Sequence, residues 1–217
     1  MHWELYILIA INVLLVISIF SYYIYNRFIV GGKRFNSKEI NNLKKKMKAE
    51  YFYKGFYTSK HELIFGPQFD YFYVKDREDF SVCFDCFVYE NSKERWEVFI
   101  SYDRDELLPD NSEKLTIRVF TKNATIKSRA MIEKVLSQIS ILSNNNYLIR
   151  ELNKNEIKEE VEDLIKSGKD TLLLDRNIIQ YKTTSFPKNI SSRFIINRVK
   201  IMKRLRDSIV KEGILEY

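Results

Sequence analysis

The chain has 217 residues, of which 45% are hydrophobic and 14% aromatic, so it can build one packed domain and is not a largely disordered protein. Its two cysteines, Cys83 and Cys86, are too few for a disulfide-framed secreted module, and two histidines leave little material for histidine-based catalysis. The formal net charge of +7 favours anionic partners such as a membrane surface.

The first predicted element is an apolar helix. Leu5 to Tyr25 is an uncharged run of 21 residues, and at about 1.5 Å per residue it reaches roughly 30 Å, the thickness of a hydrocarbon core. A cleaved signal peptide would need Lys or Arg before the run, and there are none. We therefore predict a single transmembrane helix in an anchor segment, 1–30. Asn12 is the one amide in the run, and its ability to hydrogen-bond a second copy makes a homo-oligomer an option.

Basic residues follow this apolar run and do not precede it. Residues 26–60 carry ten Lys or Arg against two acidic residues, a net charge of +8. Because basic flanks stay on the cytoplasmic side, we predict a single-pass protein of the plasma or inner membrane with a cytoplasmic C-terminal domain. Segment 31–60 is predicted to be a basic juxtamembrane linker with a helix from Ser37 to about Glu50. Four of its lysines are predicted to contact the anionic inner leaflet or a partner: Lys44, Lys45, Lys46 and Lys48.

Segment 61–217 is predicted to be a soluble α+β domain that begins with aromatic-rich strands. Alternation is clearest from Phe80 to Tyr89, where every second residue is apolar. Short polar connections favour antiparallel neighbours, so we predict a meander of about four strands. These strands are Phe69–Val74, Phe80–Tyr89, Trp96–Tyr102 and Leu115–Val119.

Helical spacing replaces alternation after these strands. Apolar residues from Ile132 to Leu142 recur three and four positions apart, which predicts a helix that ends at residues 144–146. A second helix is predicted from Glu156 to Lys166, with Asn155 as its N-cap.

Two short strands, Leu172–Leu174 and Ile178–Tyr181, are predicted before the last helix, Ser192–Lys211. One side of this helix is apolar, and the other side is basic through Arg193, Lys200, Lys203 and Arg204. The predicted fold class is α+β, with a mainly antiparallel sheet of about four to six strands covered by about three helices.

Two clusters have the residue types of metal or redox sites. Cys83 and Cys86 have CxxC spacing, but residues three apart on a strand point to opposite faces, and no second ligand pair exists in the sequence. We interpret them as strand cysteines. The acidic loop from Asp103 to Asp110 lacks the glycine and the ligand alternation of a calcium loop. We therefore expect no cofactor and no metal.

Two classes of function remain open. The favoured one is a membrane-tethered, non-catalytic protein-binding module at the cytoplasmic face, such as an adaptor, a membrane-complex subunit or an immunity-type inhibitor. Its expected partners are a membrane and a protein, and not nucleic acid. The alternative is a membrane-localised, metal-dependent nuclease-like or nucleic-acid-binding protein with Asp170, Gln180 and Lys182 as its catalytic set. On a strand Gln180 and Lys182 would share a face, as metal-dependent hydrolysis requires.

Overall fold

The structure is a computed structural model, and it describes residues 3–24, 35–58, 63–64, 80–102, 113–121, 125–126, 128–187, 189–212 and 215–216. The chain divides into two compact units, Met1–Arg34 and Phe35–Tyr217. Each unit is described by itself below.

The first unit contains helix α1, Trp3–Ile24, where an apolar helix was predicted. Among the described residues, however, no helix is both long and apolar enough to cross a membrane. The prediction of a single transmembrane helix is corrected accordingly.

The second unit combines four helices with a large sheet in its described part. The helices are α2 (Ser37–Met47), α3 (Asn146–Leu152), α4 (Asn155–Leu164) and α5 (Ser192–Lys211). The strands are β1 (Glu50–Thr58), β2 (Leu63–Ile64), β3 (Phe80–Glu90), β4 (Arg95–Tyr102), β5 (Glu113–Phe120), β6 (Thr125–Ile126), β7 (Ala130–Val135), β8 (Gln138–Ser143), β9 (Asp170–Asp175), β10 (Ile178–Thr183) and β11 (Leu215–Glu216).

Nine of these strands form one antiparallel sheet in the order β2-β1-β3-β4-β5-β10-β9-β7-β8. Strands β6 and β11 pair separately. The sheet is larger than the predicted four to six strands, because β1, β2 and the pair β7–β8 were not expected as strands. Strands β3, β4, β5, β9 and β10 lie where strands were predicted. The predicted strand Phe69–Val74 lies outside the described residues.

The predicted helix from Ile132 to Leu142 is wrong. This segment forms the hairpin β7–β8, whose two-residue loop begins at Leu136 with a positive φ of 56°. The β-branched isoleucines and valine there suit a strand, and pairing with β9 buries Ala130 and Ile132. Helix α3 then begins where a helix was expected to end, because the side chain of Asn145 accepts hydrogen bonds from two backbone amides of its first turn.

Helices cover one face of the sheet. Residues directly opposite each other on paired strands share a face, and Trp96, Val119 and Ile179 lie on the face that packs with α5 in one apolar core. We call it the helix face. Helix α5 buries its predicted apolar stripe there: Ile195, Val199, Met202, Leu205 and Ile209.

The N-terminus of α5 is capped from two directions. The hydroxyl of Ser191 accepts a hydrogen bond from the Phe194 amide at 3.2 Å, and Glu39 Oε2 of α2 accepts one from the Ser192 amide at 2.5 Å. Hydrogen bonds from the side chain and the amide of Ser192 lower the pKa of Glu39. Helix α2 packs against α5 and is itself capped by Asn36. By contrast, the predicted cap Asn155 is the first residue of α4, and the capping position is Lys154.

Candidate functional site

The face of the sheet opposite the helix face carries a row of buried polar residues, and we call it the polar face. Glu97, Arg118 and Gln180 lie side by side on β4, β5 and β10. The side chains of Glu97 and Arg118 are fully buried and form an ion pair. Arg95 adds a second cation, donating from Nε and Nη2 to Glu97 Oε1 at 2.9 and 2.6 Å. One buried carboxylate therefore holds two guanidinium groups.

Aromatic rings surround these guanidinium groups. Arg118 Cζ lies 4.9 Å from the ring centroid of Phe99 and 5.7 Å from that of Phe120. Arg95 Cζ lies 5.0 Å from the Phe120 centroid. Cation–π contact of this kind favours arginine in a site shielded from water. The charges of this cluster are engaged with one another, which is the arrangement of a structural ion pair.

The catalytic set of the alternative function is divided between the two faces. Gln180 and Lys182 share the polar face, as predicted. Asp170 pairs with Thr183 across β9 and β10, and this pair shares the helix face with Tyr181. The structure therefore brings two of the three residues together and places the carboxylate of Asp170 on the other side of the sheet. One metal ion cannot be bound jointly by groups on opposite faces.

Asp170 is engaged in a hydrogen-bond network of its own. Its Oδ2 accepts from the amides of Lys166 and Ser167 at 3.0 and 2.8 Å, and its Oδ1 accepts from the Tyr181 hydroxyl at 2.8 Å. Burial by itself would raise the pKa of Asp170, but hydrogen bonds from Thr183, Tyr181 and Ser167 hold it below its ordinary value. The carboxylate thus fixes the connection between α4 and β9 to the middle of the sheet.

Cys83 and Cys86 lie close together and not on opposite faces as predicted. A bulge between Phe84 and Phe87 includes Asp85, whose φ is 49°, and it turns both thiols to the same side. Their Sγ atoms are 3.5 Å apart, and both residues are fully buried. Burial raises the pKa of the Cys86 thiol. A buried thiol with a raised pKa is a poor nucleophile.

The predicted basic face of α5 is partly neutralised. Lys203 Nζ donates to Glu94 Oε1 at 2.9 Å, and Arg204 Nη2 lies 3.8 Å from Asp163 Oδ2. Arg193 and Lys200 are exposed, and within the described part of the chain neither has an ion pair. The basic surface of α5 available to a partner is therefore smaller than the sequence indicated.

The predicted basic surface of α2 is open. The four lysines predicted there lie in the last turn of α2 and at its C-cap. All are exposed, and no ion pair to them is found among the described residues: Lys44, Lys45, Lys46 and Lys48. Helix α1 offers a different surface in the first unit. Between Ile11 and Phe20 its large apolar side chains are each more than half exposed.

Sequence reasoning missed the residues that organise the polar face. Glu97 and Arg118 occupy the polar positions of alternating strands, which usually face solvent. The signal that could have found them is the register of the β4–β5 pair, which places a glutamate directly opposite an arginine.

No family model and no curated protein matches the chain. Among solved structures, the chain is similar to the crystal structure of the mycobacterial trehalose monomycolate transport factor A, TtfA. The TM-score is 0.51 at 9% sequence identity, and the match covers 79% of this chain and 93% of that chain. At this identity the likeness shows a shared fold alone.

Proposed function

We propose that this chain is a non-catalytic protein-binding module that attaches to a membrane surface. The observation that carries the proposal is the exposed, uncharged side of α1 between Ile11 and Phe20. Burying such a surface releases about 25 cal/mol for each Å² removed from water, so α1 gains strongly from contact with lipid. The likeness to TtfA concerns the fold, so transport of trehalose monomycolate is not part of the proposal.

The lysines of α2 support attachment to an anionic leaflet. Each basic residue near such a surface contributes about 1 kcal/mol of attraction, and four exposed lysines lie within the five residues Lys44–Lys48. A leaflet facing the cytoplasm is the anionic surface that the charge pattern predicts. Apolar contact by α1 and charge attraction by α2 would each contribute to attachment.

The buried charged groups favour binding over catalysis, because they are already engaged in ion pairs and hydrogen bonds within the fold. Glu97 is held by two arginines, and Asp170 is held by backbone amides and the Tyr181 hydroxyl. Groups committed to such contacts stabilise the fold. The surfaces that remain exposed are apolar or basic, which suits an adaptor, a membrane-complex subunit or an inhibitor.

Vesicle flotation tests the attachment. We expect the full chain to float with vesicles that contain an anionic phospholipid, and Leu14→Asp/Ile17→Asp to abolish flotation with anionic and neutral vesicles alike. Charge reversal at Lys44, Lys45 and Lys46 should lower binding to anionic vesicles by about a hundredfold or more, since each of the three charges contributes roughly 1 kcal/mol. Charge reversal at the exposed Lys158, Lys166 and Lys169 is the matched control and should lower binding to anionic vesicles by a smaller factor. Undiminished flotation of the α1 variant would contradict the proposal.

Partner capture tests the binding of a protein. We expect a chain solubilised from membranes to retain a specific protein, and Arg193→Glu/Lys200→Glu on α5 to lose it. Lys158→Glu/Lys166→Glu, with Lys158 on α4 and Lys166 just after the end of that helix, changes the same number of charges and should retain the partner. Equal recovery with both variants would show that the basic surface of α5 is not the contact.

A further inference from the structure

Cys83 and Cys86 are the two cysteines of the chain, and the fold holds their sulfur atoms next to each other. The Cys86 thiol donates a hydrogen bond to Cys83 Sγ at 3.5 Å. A disulfide needs its sulfur atoms about 2.0 Å apart, so an approach of about 1.5 Å would join them. On a regular strand this approach could not occur, because side chains three residues apart point to opposite faces.

The bulge that brings the thiols together is held from the neighbouring strand. Asp85 lies between the two cysteines with a positive φ of 49°, which is uncommon for a residue with a side chain. The hydroxyl of Tyr51 on β1 donates to Asp85 Oδ1 at 2.6 Å, and this contact stabilises the conformation of the bulge. Tyr51 is therefore a positioning residue for the pair. The arrangement of the thiols depends on the β1–β3 pair and not on the CxxC spacing alone.

The surroundings of the pair determine which oxidant can reach it. Both cysteines are fully buried, and they pack with Phe99, Phe52 and Val88. A bulky disulfide such as oxidised glutathione would contact either sulfur only after a large part of the sheet had opened. Hydrogen peroxide is little larger than a water molecule, so a small local opening is enough to admit it. Burial therefore favours a small hydroperoxide as the oxidant.

We propose that Cys83 and Cys86 form a reversible intramolecular disulfide when hydrogen peroxide oxidises them. In the first step one thiolate attacks a peroxide oxygen, the O–O bond breaks, and the departing hydroxide takes up a proton to become water. This step leaves a sulfenic acid. In the second step the other sulfur attacks the sulfenic sulfur, the S–S bond forms, and the S–O bond breaks with release of a second water. The peroxide gains the two electrons that the thiols lose.

The short distance between the sulfur atoms decides the product of oxidation. Burial raises the pKa of the Cys86 thiol, so the first step is slow. Once a sulfenic acid has formed, however, the second thiol already lies beside it and closure is intramolecular. Further oxidation to a sulfinic acid would need a second peroxide to enter the same buried place. Oxidation therefore stops at the disulfide, which a dithiol can reduce. The proposal is independent of membrane attachment.

Mass spectrometry of the full chain tests the product. The folded chain is treated with hydrogen peroxide, then denatured, alkylated with iodoacetamide and digested with trypsin. We expect peptide 78–93, which contains both cysteines, to have lost two hydrogens and to carry no alkyl group, and dithiothreitol to restore both alkylation sites. Cys83→Ser and Cys86→Ser are the matched controls, and neither should give this product. Two alkylated cysteines after prolonged treatment, sulfinic acids, or a disulfide between two chains would each overturn the proposal.

Urea unfolding of the oxidised and reduced chains tests whether the fold itself favours the disulfide. We expect closure to be at least about tenfold more favourable in the folded than in the unfolded chain, so the oxidised form should be more stable by at least about 1.4 kcal/mol. An oxidised chain that is no more stable than the reduced one would refute the inference.

A pair of tyrosine variants tests the positioning role of Tyr51. Tyr51→Phe should reduce the stability difference between the oxidised and reduced chains, because the bulge loses the hydrogen bond to Asp85. Tyr53→Phe, on the same strand, is the matched control and should leave the difference unchanged. Circular dichroism would establish that both variants are folded. An equal difference in the two variants would refute the role of Tyr51.

Discussion

Replacing Arg118 with leucine is expected to lower the free energy of unfolding by about 3–5 kcal/mol, because the substitution removes one partner of a buried ion pair. Glu97 would keep only Arg95, whose side chain is 31% exposed, while its own side chain is fully buried. Urea denaturation of the wild type and the variant would measure the difference. In the same experiment, the slope of the free energy of unfolding against urea concentration would report any change in the surface exposed on unfolding.

Arg95→Leu is the matched control for this prediction, since it removes the other guanidinium from the same carboxylate. Its loss should cost about 0–1 kcal/mol, as for a partly exposed pair. The double variant Glu97→Leu/Arg118→Leu should be more stable than Arg118→Leu alone, because it leaves no fully buried charge without a partner, and the partly exposed Arg95 keeps Glu90. If the two single arginine variants were equally destabilised, burial would not be what distinguishes the two ion pairs.

Replacing Asp170 with alanine is expected to lower the free energy of unfolding by at least about 3 kcal/mol, since hydrogen bonds to a charged group contribute about 1.5–3 kcal/mol each. The substitution leaves the amides of Lys166 and Ser167 and the Tyr181 hydroxyl without their acceptor. Thermal unfolding at neutral pH would measure the effect. Asp163→Ala is the control, because that carboxylate is 42% exposed and its loss should cost about 0–1 kcal/mol.

The same carboxylate gives the stability a defined pH dependence. The pKa of Asp170 is lower in the folded chain than its ordinary value of 3.8, so its stabilising effect is present above that value and is lost as the pH falls through the folded-state pKa. Asp170→Asn removes this titration. Below pH 4 its stability should therefore fall less steeply with decreasing pH than that of the wild type. If the stability of the two proteins fell equally steeply with decreasing pH, Asp170 would not be responsible for the pH dependence.

Alternation and helical spacing predicted the elements whose pattern is long and regular. Phe80–Tyr89 and Ser192–Lys211 both lie where the sequence placed them, and the apolar stripe of the helix is buried from Ile195 to Ile209. Ile132–Leu142 was misassigned because short apolar runs fit both periods. The turn also lacks the glycine or asparagine that is typical of a two-residue hairpin loop, and Leu136 occupies the first loop position.

The buried ion pair of the polar face could not be predicted from the sequence, for a different reason. Charged residues in an alternating strand indicate a solvated face, and only the register of β4 and β5 shows that Glu97 meets Arg118. Cys83 and Cys86 were misplaced because a bulge shifts the alternation by one residue, and nothing in the local sequence identifies it. Both features depend on the neighbouring strand and not on the strand itself.

The hydrogen bond between Glu39 and the Ser192 amide has a consequence during synthesis. The two residues are 153 positions apart, so at about 5–20 residues per second the ribosome releases Ser192 roughly 8–30 s after Glu39. During that interval α2 has been made but α5, against which it packs, has not. Docking of α2 against α5 therefore waits for at least this interval, and any factor that binds the nascent chain meets the surface of α2 that α5 later covers.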